Sequence, residues 1–136
     1  AAGAGRPAPG SPHLDRGPWP RFNSAVPLPA LIAEALGRFR AALRERFGDR
    51  LRELVLFGSQ ARGEATEESD VDLLVIVEGL TEAERREVLD LAWAAGAAGA
   101  EYVCLSPLPY SSDQIADLRR RERRLPREIA KDGIAL

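Results

Sequence analysis

Two aspartates, Asp70 and Asp72, stand two residues apart where an apolar run, Val71 to Val77, begins. Strand alternation places both carboxylates on one face, about 6.5–7 Å apart along the chain. Two carboxylates that close repel each other unless a cation lies between them. Mg²⁺ is the natural occupant, because it is a hard ion commonly shared between one or two carboxylates and substrate phosphates. Upstream, Gly58-Ser59 closes another apolar run, Leu54-Val55-Leu56-Phe57, and ten residues separate Ser59 from Asp70. A glycine between a strand and a helical turn lets backbone N–H groups approach a ligand closely. Helix N-termini and backbone nests bind phosphate through unpaired donors, and Ser59 adds a hydroxyl there. A phosphate clamp beside a carboxylate pair is the equipment of metal-assisted phosphoryl or nucleotidyl transfer. Each half alone is common in proteins; the conjunction carries the information.

Other residues have two readings each. Arg62 can contact phosphate or pair with Glu64, Glu67 or Glu68, since its guanidinium fork suits either role. Arg119, Arg120, Arg121, Arg123, Arg124 and Arg127 form a basic cluster that could grip RNA or an acidic partner, with a solvated helix face as the default. No interleaved aromatic platform of the single-strand-binding kind accompanies it. Cys104, and Trp93 with Leu89, read as core. His13 has no partner in view.

The elements that must position these groups follow from periodicity and punctuation. Residues 1–27 are dense in Pro and Gly and read as a flexible arm, with Trp19 and Phe22 as its only anchors. From Pro29, residues Ile32, Leu36, Phe39, Leu43 and Phe47 form a helical stripe that Gly48 terminates. Leu54–Phe57 is a buried strand, 59–63 a helical turn, 64–69 an acidic loop and Val71–Val77 a second strand. Thr81 and Glu84 make a capping box for a helix over about 81–97. Tyr102–Leu105 is the expected third strand, ended by Pro107 and Pro109. Ser111 and Gln114 cap a further helix, and a short last helix ends at Gly133. The alternation predicts a layered α/β (α+β) domain over 28–136, a small mixed β-sheet flanked by helices.

Composition narrows the class. In 136 residues, Lys and Arg number 19 against 21 Asp and Glu, a net charge of -2, with 45% hydrophobic and 29% charged residues. Such a chain is globular rather than disordered or collagen-like. Near-neutral charge argues against a nucleic-acid partner over the whole surface. No window approaches the roughly 18 apolar residues of a membrane span. A single Cys and no retained signal peptide point to a reducing, cytoplasmic setting.

The segment GSQARGEATEESDVDLLV resembles the nucleotidyltransferase superfamily that includes DNA polymerase beta, and most of all its minimal nucleotidyltransferases. Gly58, Ser59, Asp70 and Asp72 match the family pattern position for position. Ala61-Arg62-Gly63 and Ser69 match its common bacterial form. The likeness is close over 51–77 and loose over 81–136. It implies a mixed sheet with the active site at its open edge and Mg²⁺-dependent transfer of a nucleoside monophosphate from an NTP, ATP in the first place, to a protein or small-molecule acceptor. Asp70 and Asp72 would hold metal, and Gly58, Ser59 and Arg62 the nucleotide. Family catalysts carry a third carboxylate on a later strand. Glu101, five residues before Ser106-Pro107, is the candidate, although the commoner residue there is Asp. Small members often act beside a helical HEPN-type protein as the antitoxin of a toxin pair. With 59 residues after Val77, a partner protein or a second copy of the chain would have to complete the site. Two other readings stay open: a non-catalytic module of the same fold that regulates a partner by contact, and an RNA binder using the arginines.

Overall fold

The computed structural model describes residues 28–58, 61, 70–121, 129 and 133–136. The expected arm, 1–27, lies outside the described residues, as do Ser59, Arg62, the acidic loop and Arg123, Arg124 and Arg127.

The first helix, α1, spans Ala30–Phe47, and the five stripe residues named above are all buried on it. Gly48, at φ 56°, ends it and donates its N–H to the Arg44 carbonyl. A left-handed residue is reached there at little cost only by glycine. A single 3₁₀ turn, Gly48–Arg50, leads into β1, Leu51–Phe57, which starts three residues earlier than its apolar run suggests.

Strand β2, Val71–Val77, runs antiparallel to β1, with Leu54 opposite Val75 and Phe57 opposite Asp72. Helix α2, Glu82–Ala97, opens on the expected capping box: Glu84 N–H donates to Thr81 Oγ1 at 3.1 Å, and Thr81 N–H to Glu84 Oε1 at 3.0 Å. The same carboxylate receives both terminal nitrogens of Arg50, at 2.8 and 2.7 Å, and that guanidinium is the main reason its pKa is pulled down to about 2. The start of α2 is thereby tied to the turn before β1.

Strand β3, Leu105–Tyr110, pairs parallel with β2. Here the expectation of a strand over Tyr102–Leu105 is corrected: the strand starts at Leu105 and contains both prolines. The sheet order β3-β2-β1-β4 explains this, because β3 is an edge strand, where missing N–H donors are tolerated. Helix α3, Ser112–Arg120, begins with the predicted Ser111–Gln114 capping box. The short β4, Ile134–Ala135, pairs antiparallel with the other side of β1.

The sheet is covered on both faces. Helices α1 and α2 pack on Leu54, Leu56, Val71, Leu73, Val75 and Val77. Ile115 of α3, Ile129 and Ala135 pack on Val55, Leu74 and Ile76. Burial on both faces is why β2 reads as a continuous apolar run after its acidic start. The expectation that Leu89 and Trp93 are core is overturned: they are 47% and 63% exposed, on the side of α2 turned away from the sheet.

Two glycines predict opposite outcomes. A Cβ at Gly96 would run into the Val103 carbonyl oxygen, whose own N–H bonds to the Gly96 carbonyl at 2.9 Å. Gly37, on α1, has nothing within 4 Å of its Cβ position. Gly96→Ala should therefore destabilise by roughly 1–3 kcal/mol through overpacking. Gly37→Ala should stabilise by about 0.8–1 kcal/mol through helix propensity. Melting temperatures that move the same way in both variants would contradict the packing of α2 on the 103 segment.

Candidate functional site

The site begins with the alternation of β2. Val71, Leu73 and Val75 point into the α1–α2 core, so Asp72 points to the other face, in line with Leu74 and Ile76. Asp72 sits in the middle of a row across three strands, opposite Phe57 on β1 and Ser106 on β3. Val71 N–H donates to the Cys104 carbonyl at 2.9 Å, which carries the register one step outward and brings Asp70 alongside Cys104. Asp70 is exposed and Asp72 half-buried.

Burial, and secondarily the charge of Asp70, raise the Asp72 carboxyl above the ordinary aspartate value. Both causes disfavour a second negative charge, and both are relieved by a cation. Gly58 makes room for this carboxylate. Its φ is 77°, and an added Cβ would lie 2.6 Å from Asp72 Oδ2. The glycine that ends β1 and the metal-binding candidate on β2 thus occupy one notch. Of the turn that follows, Ala61 is helical and packs against the larger core. Ser59 and Arg62 fall outside the described residues.

Glu101 is placed differently from expectation. It is exposed, in a bend after α2, and the strand meant to carry it begins four residues later. Among the described residues no three His, Cys, Asp or Glu side chains come together as a metal-holding group. Glu53, a carboxylate buried in β1, pairs with Ile76. Four residues of strand separate that position from Asp72, about 13 Å, too far for a shared ion. The pair Asp70–Asp72 suits a hard divalent cation, with two oxygen donors on one face and a space kept clear by Gly58; further ligands would come from substrate and water.

Sequence reading missed the groups that border the row on its β3 side. Cys104 is half-buried rather than core, and its Sγ lies 4.0 Å from Ser106 Oγ. Tyr102 is 52% exposed, and its ring stands 5.0 Å from that of Trp93 at 46°. Partial desolvation, the Cys104 thiol and then the charge of Asp70 raise the Tyr102 hydroxyl pKa. The signal in the sequence was parity: residues 102, 104 and 106 alternate with the core-facing Val103 and Leu105.

The family described as nucleotidyltransferase domain matches residues 36–129, a stretch that takes in α1 from Leu36 onward, the Gly58 notch, both aspartates and β3. The chain belongs to this family. Among curated relatives, the nucleotidyltransferase domain is similar to the protein adenylyltransferase MntA of Thermococcus cleftensis, with 54% identity over 44 residues, 32% of this chain and 42% of that one. Two Methanocaldococcus jannaschii proteins named as candidate protein adenylyltransferases also match. One is 48% identical over 50 residues, 37% of this chain and 34% of that one. The other is 37% identical over 62 residues, 45% and 63% of the two chains. The nucleotidyltransferase domain therefore spans less than two thirds of each of these relatives. No helix among its described residues is long and apolar enough to cross a membrane.

Proposed function

We propose that this domain transfers a nucleoside monophosphate from an NTP, with ATP as the first choice, to a hydroxyl of a protein acceptor. The observation that carries the proposal is the Gly58–Asp72 notch, where a left-handed glycine keeps open the space into which a half-buried carboxylate points. Names of the relatives support the adenylyl group and the protein acceptor. Asp70 and Asp72 would hold Mg²⁺, which when bound supplies a Lewis acid for the α-phosphate and neutralises charge on the pyrophosphate. The Gly58-Ser59 segment would hold the triphosphate through backbone N–H groups and the Ser59 hydroxyl, with Arg62 as a further phosphate contact. Glu101 is left out of this catalytic set, because it is neither on β3 nor grouped with the aspartates.

In this reading the acceptor is a helical HEPN-type partner, the domain acts as its antitoxin, and the pair works in the cytoplasm. The test is to incubate the domain and such a partner with ATP and Mg²⁺ and weigh the partner by mass spectrometry. One adenylyl adduct per modified hydroxyl is expected, absent without Mg²⁺.

A second reading has one specific observation in its favour, the missing third carboxylate among the described residues. In it the fold is a non-catalytic module that neutralises its partner by contact. Neutralisation of the partner with no adduct, and without need of ATP, would sink the transfer reading and leave this one.

A further inference from the structure

A groove opens between the first half of α1 and β4. Leu28, Leu36, Gly37 and Arg40 line it on one side, Ala135 and Leu136 on the other, around about 360 Å³. It lies at the sheet margin away from β3, and its lining is apolar except for one guanidinium. Arg40 is half-buried, and its side chain makes no ion pair or hydrogen bond among the described residues. Burial, and then the charge of Arg44, disfavour its protonated form. Glu34 and Glu45, the acids of α1, fall more than about 100° round the helix from it. An aromatic ring matches such a trough, because it fills apolar space and receives a cation on its face. Arginines of this chain stack in that way elsewhere: Arg46 stands 4.9 Å from the ring centre of Phe47, and Arg85 5.8 Å from that of Tyr110.

The chain supplies such rings next to the groove. Residues 1–27 join the described chain at Leu28, itself part of the groove wall. Trp19 and Phe22 stand nine and six residues before Leu28. Six to nine extended residues span roughly 20–30 Å, while α1 from Ala30 to Arg40 covers only about 15 Å. Either ring can therefore reach any part of the groove. Proline on both sides of Trp19 narrows the conformations open to it, which lowers the ordering entropy that docking costs. So short a tether also holds the rings at an effective concentration of about millimolar, ahead of a free competitor of similar affinity. The charged residues of the arm are Arg6, Asp15, Arg16 and Arg21, so the match is one of ring and trough rather than of opposite net charge.

We infer that the groove between α1 and β4 is the seat of the chain's own arm, with Trp19 set against Arg40 and Phe22 alongside. This is independent of the nucleotidyl transfer proposed above. In a Trp93→Phe background Trp19 is the sole tryptophan, and Trp93 is too exposed for its loss to disturb the core. Trp19 emission should then be blue-shifted from that of free tryptophan, with a severalfold lower acrylamide quenching constant, at every protein concentration. Gly37→Leu puts a side chain into the groove where nothing lies within 4 Å, and it favours the helix. That variant should still melt cooperatively while Trp19 becomes as quenchable as the free amino acid. Arg40→Gln should raise the quenching constant part of the way. Trp19 as open to quencher in the Trp93→Phe protein as free tryptophan would overturn the docking, and so would shielding that survives Gly37→Leu. Shielding that grows with protein concentration would seat the arm of a second copy in the groove and overturn docking within one chain. An open Trp19, together with binding of an added Glu- and Leu-rich peptide that Arg40→Gln removes, would overturn it in favour of an acidic partner.

Discussion

Asp72→Asn should abolish nucleotidyl transfer and raise the melting temperature of the metal-free domain. The two effects have one cause. Asp72 is half-buried and faces Asp70, and both burial and that neighbouring charge push its carboxyl pKa up. A carboxyl whose folded-state pKa lies above its unfolded value is easier to bury protonated than ionised. Its penalty is absent at pH values below the unfolded pKa of about 3.9 and fully present once the pH has passed the raised folded value. The parent should therefore lose stability relative to the Asp72→Asn variant as pH climbs out of the acid range. The gap between their melting temperatures should widen and then level off.

Mg²⁺ should stabilise the parent and leave the variant nearly unmoved, because binding to the folded state alone raises stability by mass action. Activity should fall by at least roughly a thousandfold, given that a metal ion supplies several kcal/mol to such a transition state. Asp70→Asn should behave likewise in activity, with a smaller thermal gain because Asp70 is exposed. Turnover with ATP and Mg²⁺, set beside a pH series of thermal melts, checks both halves. Full activity in either variant would dispose of the two-carboxylate site.

Gly58→Val should cost both stability and activity, and the pattern of loss identifies the notch. A non-glycine residue held at φ 77° is strained by roughly 1–2 kcal/mol. The new Cβ must also displace Asp72 Oδ2, which lies 2.6 Å from where it would stand. Backbone strain lowers the melting temperature by several degrees, and the displaced carboxylate removes metal-dependent turnover. Because the two residues share the notch, Gly58→Ala and Asp72→Ala should be non-additive in a double-mutant cycle, with a coupling of about 0.5–3 kcal/mol. Additive melting temperatures would mean that the carboxylate swings clear of the glycine, and that the activity loss has another origin.

What could be read from the chain was what is local to it. The stripe of α1, its glycine stop and both capping boxes each lie within a few residues and need no partner to be seen. The shared face of Asp70 and Asp72 was legible because alternation relates positions two apart, but the contact of Gly58 with Asp72 was not: Gly58 reads as a place where backbone N–H groups approach a ligand, and only the pairing of β1 with β2 brings the Asp72 carboxylate beside it. The third strand was misread because edge status is a property of the sheet, invisible at Pro107 and Pro109 themselves. Trp93 was misread because a large apolar residue on a helix is core by default; only the placement of the sheet under Val88, Ala92 and Ala95 shows that it faces away. Glu101 was placed by analogy with a register, and the bend after α2 moved the strand's start beyond it. The two-residue β4 has no periodicity to detect.

The prolines of β3 have a consequence for how copies of this chain meet. The bond from Val71 N–H to the Cys104 carbonyl sets the alternation of the parallel ladder, so that the N–H of Ser106 and of Leu108 turn inward to β2. Pro107 and Pro109 then stand where outward-facing donors would be. That margin offers carbonyls but almost no N–H groups to an incoming strand. Growth of the sheet from molecule to molecule through this margin, the route to fibrous aggregates, is thereby blocked by chemistry.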